Sequence, residues 1–177
     1  LETSERLAGV LASRFEPGER VVVWAPNIPE WLFLEYACAF SGLVLVTANP
    51  SFQEKELRYV LEQSGAVALF LVDSFRGNAM ADIAQKAIEG NGQIREVVNL
   101  EDETVLFKQG SKLADLPGVK PTDPAQIQYT SGTTGFPKGA VLSHYNLVNN
   151  ARLFAARKKV HQQSVWANFM PMFHTAG

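Results

Sequence analysis

The chain has 177 residues, of which 46% are hydrophobic and 19% charged, and its formal net charge is −2 at pH 7. This length and apolar content suit a globular domain with a buried core, and the small net charge excludes a strongly basic surface for nucleic acid. No stretch reaches the roughly 18–20 apolar residues of a membrane span. The single cysteine, Cys38, excludes a disulfide framework and a Cys-based metal site. It favours a reducing, intracellular compartment, with the cytoplasm preferred and a mitochondrial or membrane-peripheral location left open.

The first hundred residues alternate between helical and strand patterns. Continuous apolar runs bounded by turn residues are typical of parallel strands buried on both faces, whereas apolar spacing of three and four is typical of helices. These patterns predict, in order, a helix from Leu7 to Phe15, strand 21–25, a helix begun by Asn27 and Pro29, strand 43–47, a helix opened by a capping box at Ser51–Glu54, strand 67–72, a helical stripe at Phe75, Ala79, Ile83 and Ala87, and strand 94–100. Such alternation implies an α/β fold with a parallel sheet covered by helices on both faces.

Residues 101–177 do not continue the alternation of helix and strand patterns, and they fall into two segments. Residues 101–124 are rich in acidic residues, Gly and Pro, and we expect a linker or excursion there. We therefore divide the chain into a βαβ-repeating subdomain at 1–100, this linker, and a third segment at 125–177. In the third segment Ser143 is expected to cap a helix with an apolar side, and 165–169 is expected to form a strand with Trp166 in the core. The chain lacks an initiator Met and opens inside a helical pattern, so we expect it to be a piece of a longer protein.

The ten residues from Thr130 to Gly139 contain four hydroxyl residues, three glycines and one lysine. Few bulky side chains lie here, so backbone N–H groups can approach a ligand closely, while the hydroxyl groups donate further hydrogen bonds. Lys138 adds a positive charge. These are the properties needed to hold a polyphosphate. A flexible Gly/Ser/Thr connection between two strands is the alternative that residue types alone leave open.

The register of this loop excludes an ordinary P-loop. A Walker A sequence places Gly-Lys-Ser/Thr five positions after its first glycine, but here Gly132 is followed at that distance by Pro137, and Lys138 precedes Gly139. Alternating and apolar residues flank the loop and predict strand–loop–strand. A helix N-terminus is therefore not expected to be the main phosphate anchor.

The string Tyr129 to Gly139, Tyr-Thr-Ser-Gly-Thr-Thr-Gly-Phe-Pro-Lys-Gly, resembles the phosphate-binding signature of the adenylate-forming superfamily. Phe136 occupies its variable position, and Ser143-His144-x-Asn146 also matches. The superfamily includes acyl-CoA synthetases, luciferases and peptide-synthetase adenylation domains. Strings similar to 18–21 and 26–31 also occur in acyl-CoA synthetases, so the chain is most similar to the N-terminal part of a fatty-acyl-CoA synthetase.

The resemblance implies an ATP-dependent ligase that converts a carboxylic acid, expected to be a fatty acid, into an acyl-adenylate and then transfers the acyl group to coenzyme A. It implies that Lys138 is catalytic and neutralises phosphate charge, and that the loop glycines let the backbone curl. Mg²⁺ is expected to arrive with the triphosphate rather than in a protein metal site. The residues expected to bind the nucleotide are Thr130, Ser131, Gly132, Thr133, Thr134, Gly135, Phe136, Pro137, Lys138 and Gly139.

His174 is the second expected catalytic residue. A lone histidine beside an apolar segment is more often structural, but acyl-CoA synthetases carry a Pro-x-Phe/Tyr-His segment after the signature, and Pro171, Phe173 and His174 match it. The resemblance implies that His174 positions the acyl carboxylate or orients the neighbouring aromatic ring. A general base is not needed because the carboxylate is ionised near neutral pH.

The resemblance places the adenine, ribose and coenzyme A contacts later in sequence than this chain. We therefore expect the chain alone to be inactive. A peptide-synthetase-type adenylation domain, a luciferase-like enzyme and a nonenzymatic nucleotide-binding module remain as alternatives.

Overall fold

A computed structural model describes residues 1–102, 106, 116–130 and 137–174. No helix in these ranges is long and apolar enough to cross a membrane. The elements follow one another as α1 (Glu2–Ala12), β1 (Arg20–Trp24), α2 (Pro29–Ser41), β2 (Val44–Thr47), α3 (Glu54–Ser64), β3 (Ala68–Leu71), β4 (Ser74–Phe75), β5 (Asn78–Ala79), α4 (Met80–Ile88), β6 (Glu96–Asn99), β7 (Pro124–Thr130), β8 (Lys138–Ser143) and α5 (His144–Arg157).

The main sheet has the strand order β6-β3-β1-β2-β7-β8. Its first five strands are parallel, and β8 pairs antiparallel with β7. The chain moves from β1 to β2 on one side and then returns through α3 to β3 on the other side of β1. In an open α/β sheet, a reversal of this kind creates a crevice beyond the carboxyl ends of the strands, where ligands commonly bind.

Helices cover the sheet in two pairs, since α1 packs against α2 and α3 packs against α4. Right-handed crossovers that run in opposite directions place their helices on opposite faces, so α2 and α3 lie on opposite sides of the sheet. Four of the five residues of β1 are buried, as expected for a strand covered on both faces. The predicted α/β fold with a helix-covered, mainly parallel sheet is therefore confirmed.

One predicted helix begins later than expected. Phe75 and Ala79 do not continue the helical stripe, because they belong to the short antiparallel pair of β4 and β5. Arg76 and Gly77, with φ of 47° and 86°, form the turn between these strands. Positive φ at both central residues is what a tight two-residue hairpin turn requires, and it is incompatible with a helix.

Two predicted helix starts are also wrong in detail. The capping box of α3 is formed by Gln53 and Glu56, and the Gln53 N–H donates to Glu56 Oε2 at 3.1 Å. Ser51 lies outside this motif and donates its N–H to Asn49 Oδ1 at 2.9 Å. At α2 the N-cap position belongs to Ile28, so Asn27 does not cap this helix.

The structure contradicts the predictions for strand 165–169 and Trp166. Residues 164–169 have no regular secondary structure, and Trp166 is 62% exposed. Its ring packs edge-to-face on Phe154 of α5, with centroids 5.4 Å apart. The predicted cap of α5 is confirmed, because Ser143 Oγ accepts from the Asn146 N–H, but no residue of α5 is buried. An apolar run cannot reveal whether a neighbouring strand is there to pair with it.

Candidate active site

The strands β7 and β8 hold the two ends of the predicted phosphate loop. Thr130 pairs with Lys138 in the ladder, and the Thr130 hydroxyl donates to the Lys138 carbonyl at 3.4 Å. Lys138 is exposed at the first position of β8. The strand–loop–strand prediction is therefore confirmed for both flanks. The loop residues Ser131, Gly132, Thr133, Thr134, Gly135 and Phe136 lie outside the described residues.

Gly139 is needed for close packing within this ladder. A Cβ atom added there would lie 2.9 Å from Ile127 Cγ2 and 3.3 Å from Tyr129 Cζ. The φ angle of Gly139 is not positive, so its backbone conformation would accept a side chain. The neighbouring residues Ile127 and Tyr129 are what exclude one. The missing side chain lets β8 approach β7 closely beside Lys138.

Two side chains of α3 attach to the same ladder. The Tyr59 hydroxyl donates to the Pro137 carbonyl at 3.1 Å, and the Tyr129 hydroxyl donates to Gln63 Oε1. The rings of Tyr59 and Tyr129 meet edge-to-face with centroids 6.5 Å apart. Burial and, secondarily, Tyr59 raise the pKa of Tyr129 to about 12, so its hydroxyl stays protonated at neutral pH.

These contacts fasten both ends of the loop to α3. Tyr59 and Gln63 were not among the residues expected at the site. The signal available in the sequence was their spacing of four residues on α3, which places both side chains on one face of the helix.

A chain of polar side chains runs beneath β7. Gln126 Nε2 donates to Glu35 Oε1 of α2 at 3.5 Å, and Gln128 Nε2 donates to Gln126 Oε1 at 3.0 Å. Both glutamines are buried. Burial raises the pKa of Glu35 to about 7. Thr47 is the cross-strand partner of Gln128. This network therefore connects α2 with the strand that leads into the phosphate loop.

The segment that contains His174 lies at the reversal point of the sheet. Pro171 and Phe173 line a groove of about 490 Å³ beyond the carboxyl ends of β1 and β2. His174 is exposed, and its N–H donates to the Pro171 carbonyl at 3.0 Å. The other residues that line the groove are Pro26, Asn27, Asn49, Pro50, Ser51, Phe75, Arg76 and Phe169.

Asn27 connects this segment to the end of β1. Its Nδ2 donates to the Met170 carbonyl at 2.8 Å, and its Oδ1 accepts from the Met172 N–H at 2.9 Å. This is the role that the structure gives Asn27 in place of the predicted helix cap. The sequence carries no local signal for this role, because the partners lie more than 140 positions away.

The groove and the two flanks of the phosphate loop lie at the same edge of the sheet. The strands β1, β2 and β7 are parallel neighbours, so their carboxyl ends lie side by side, about 4.8 Å apart per strand. The groove lies beyond β1 and β2, and the loop leaves β7. The structure thus brings the loop flanks Thr130 and Lys138 and the segment that carries His174 to the same edge of the sheet.

The family of AMP-binding enzymes matches residues 1–177 of this chain. The mitochondrial medium-chain acyl-CoA ligase ACSF2 of Bos taurus is 32% identical over 207 residues, which cover 99% of this chain and 34% of that protein. The structure of the long-chain-fatty-acid-CoA ligase FadD1 from Archaeoglobus fulgidus has a TM-score of 0.83 at 27% identity, over 99% of this chain and 35% of its own.

The o-succinylbenzoate CoA synthetase MenE from Bacillus subtilis, solved with its acyl-adenylate intermediate, has a TM-score of 0.79 at 25% identity. That likeness covers 97% of this chain and 42% of the MenE chain. The chain spans about a third of the length of the curated relatives that it matches. Since the family match extends over every residue, the chain belongs to the AMP-binding enzyme family.

Proposed function

We propose that the full-length protein that carries this chain is an ATP-dependent acid–thiol ligase. It activates a carboxylic acid as the acyl-adenylate and then transfers the acyl group to coenzyme A. The adjacency of the groove lined by Phe173 and the loop flanked by Thr130 and Lys138 carries this proposal. The names of ACSF2, FadD1 and MenE, each a coenzyme A ligase or synthetase, support it.

The first half-reaction brings an anion to a polyanion. The carboxylate oxygen attacks the α-phosphorus of ATP, the bond from this phosphorus to the bridging oxygen breaks, and pyrophosphate leaves. Catalysis must then come mainly from positioning and from neutralising charge. Lys138 is exposed at the end of the ladder and is free of the core, so its ammonium group can reach the β- and γ-phosphates. We assign phosphate contacts to the hydroxyl groups of Thr130, Ser131, Thr133 and Thr134.

The remaining loop residues shape the binding surface. Gly132 and Gly135 allow the backbone to approach the phosphates, while Phe136 and Pro137 lead into β8. The described residues contain no group of three or more His, Cys, Asp or Glu side chains that could hold a metal ion. We propose that Mg²⁺ arrives bound to the triphosphate, because Mg²⁺ commonly binds through substrate phosphates with few protein ligands.

The groove at the reversal point supports an apolar acid as the substrate. Phe75, Phe169 and Phe173 supply aromatic surface to it. His174, at the end of the same segment, would position the carboxylate next to the α-phosphate without acting as a base. We propose a fatty acid, in line with the names of ACSF2 and FadD1. The name of MenE shows that the fold is also used with o-succinylbenzoate, so the acid class needs a direct test.

In the second half-reaction the thiol of coenzyme A attacks the acyl carbon and AMP leaves. We propose that the contacts to adenine, ribose and coenzyme A lie outside this chain, and that the 177 residues alone do not catalyse the reaction. The single, buried Cys38 supports a reducing, intracellular location.

The test is ATP–pyrophosphate exchange by the full-length protein with short-, medium- and long-chain fatty acids, aromatic acids and amino acids. Exchange driven by fatty acids supports the proposal. Exchange driven by amino acids would indicate a peptide-synthetase-type domain instead. ATP binding without exchange for any acid would indicate a nonenzymatic nucleotide-binding module.

A further inference from the structure

The geometry points to Asn27 as a positioning residue for the acid substrate. Its side-chain amide holds the backbone of the segment Met170–Met172, and through this it sets the orientation of Phe173 and His174. This inference rests on the proposed function, since it concerns how the acid is placed for attack on ATP. Nothing in the match to the AMP-binding family assigns a role to Asn27.

The side-chain amide of Asn27 bonds the backbone of Met170 and Met172 in the way that a paired β-strand would, with one donor and one acceptor. Nδ2 donates to the Met170 carbonyl at 2.8 Å, and Oδ1 accepts from the Met172 N–H at 2.9 Å. A side-chain amide carries the same donor and acceptor as a peptide group, so it can satisfy both at once. Pro171, between the two bonded residues, has no N–H of its own to satisfy. The pairing therefore fixes both the position and the rotation of this stretch.

Asn27 stands on a rigid support. Asn27 follows β1, whose last residue, Trp24, is fully buried. Trp24 Nε1 donates to the Asn49 carbonyl at 2.8 Å. Two residues after Asn27, α2 begins at Pro29. A buried strand and a packed helix thus fix the backbone on each side. Asn27 itself is exposed, and it lies between the buried end of β1 and the start of α2.

The two hydrogen bonds of Asn27 to Met170 and Met172, here called the clamp, also affect the side chains that follow them. Met172 packs partly buried against the core, whereas Phe173 lines the groove. The His174 N–H donates to the Pro171 carbonyl at 3.0 Å, so the turn that carries His174 begins inside the stretch that Asn27 holds. Loss of the clamp would release Phe173 and His174 together, while the ladder at Lys138 would keep its own contacts. The effect should therefore fall on the acid and not on ATP.

The test compares Asn27→Ala and Asn27→Asp with the wild type in the full-length protein. Asn99→Ala is the matched control, because Asn99 is the last residue of β6 and its side chain also bonds backbone, accepting from the Glu101 N–H at 2.8 Å. Asn99 does not line the groove. Two readouts are needed: amide hydrogen exchange at Met172, and ATP–pyrophosphate exchange with the acid and ATP varied separately.

For Asn27→Ala we expect at least about tenfold faster amide exchange at Met172, because its acceptor is gone. We expect kcat/KM for the acid to fall about tenfold or more, because the reacting carboxylate would be misplaced. KM for ATP should stay unchanged within about twofold. Asn27→Asp keeps the acceptor for the Met172 N–H but turns a carboxylate oxygen toward the Met170 carbonyl, so amide exchange at Met172 should change less than in Asn27→Ala while kcat/KM for the acid still falls. Asn99→Ala should behave as the wild type.

Wild-type kinetics in Asn27→Ala would overturn this inference and leave the proposed function standing. A loss shared equally by the acid and ATP, with a matching fall in melting temperature, would also overturn it, because that is the mark of a general structural role. Absence of pyrophosphate exchange in the wild type with every acid would overturn the proposed function and this inference together.

Discussion

Gly139 faces Tyr129 across the β7–β8 ladder so closely that a Cβ atom on the glycine would lie 3.3 Å from Tyr129 Cζ. It would also lie 2.9 Å from Ile127 Cγ2, a distance that real Cβ atoms do not show. Ile127 belongs to the buried core, so it cannot move aside freely. The close approach of the two strands next to Lys138 thus depends on the absence of one methyl group.

We predict that Gly139→Ala lowers the free energy of unfolding by about 1–3 kcal/mol, the usual cost of overpacking. It should also slow pyrophosphate exchange, because the strand that begins with Lys138 is displaced. Chemical denaturation and exchange kinetics of the full-length protein measure both effects. Gly92→Ala is the control, since nothing lies within 4 Å of a Cβ atom there and its φ is not positive. Equal stability of the two variants would show that the ladder can widen without cost.

Lys138→Ala should slow adenylation strongly and leave the melting temperature nearly unchanged. The side chain is exposed, so its removal costs little packing, whereas the loss of a positive charge beside the leaving pyrophosphate raises the barrier. We expect a loss of about a hundredfold or more in kcat, measured by pyrophosphate exchange. Lys55→Ala, on the exposed side of α3, is the control. Unaltered exchange in Lys138→Ala would remove Lys138 from the catalytic site.

Tyr59→Phe removes the hydroxyl that donates to the Pro137 carbonyl and keeps the ring against Tyr129. The loss of one hydrogen bond should lower stability by about 0.5–1.5 kcal/mol. Because Pro137 precedes Lys138, we also expect pyrophosphate exchange to become several-fold slower at saturating acid. Tyr36→Phe serves as the control, since Tyr36 is about half exposed on α2. If both variants exchange at the wild-type rate, α3 does not help to place the loop.

Glu35 should make stability depend on pH. Burial raises its pKa from 4.5 to about 7, so the folded state binds the proton more tightly than the unfolded state. Its contribution to stability is therefore full below about pH 4.5 and is lost as the pH rises through about 7. A shift of this size corresponds to on the order of 3 kcal/mol.

Glu35→Gln keeps a side-chain oxygen that can accept from Gln126 Nε2, and the new side chain cannot ionise. We expect this variant to be more stable than the wild type above pH 7 and to lose the pH dependence between about 4.5 and 7. Urea denaturation at several pH values measures the difference. Parallel pH profiles for the two proteins would show that Glu35 is ionised in the fold with little penalty.

The central strands β1, β2 and β3 of the parallel sheet could be predicted from the sequence because their burial is nearly complete. The apolar run 21–25 differs from the observed β1 (Arg20–Trp24) by one residue at each end. The loop flanks could be predicted for a different reason, since Ile127 and Tyr129 alternate with polar neighbours and a short apolar run follows the loop at 140–142. In both cases the signal is local and strong.

The errors arise where the structure depends on distant contacts. Asn27 has the residue type of a helix cap, but a segment more than 140 residues later supplies better partners for its amide. Trp166 has the composition of a core residue, yet no strand pairs with its segment in the described part of the chain. Tyr59 could not be connected with Pro137 until the strand order placed β7 and β8 beside β2. These contacts follow from topology, which residue patterns alone do not specify.

The most direct test of the account is a rapid-quench experiment on the full-length protein with α-labelled ATP and a fatty acid. Without coenzyme A, we predict that acyl-adenylate accumulates in an amount close to that of the enzyme, and that added coenzyme A converts it to acyl-CoA and AMP. Formation of ADP, or ATP turnover that no acid stimulates, would contradict the assignment of this chain to an acid–thiol ligase.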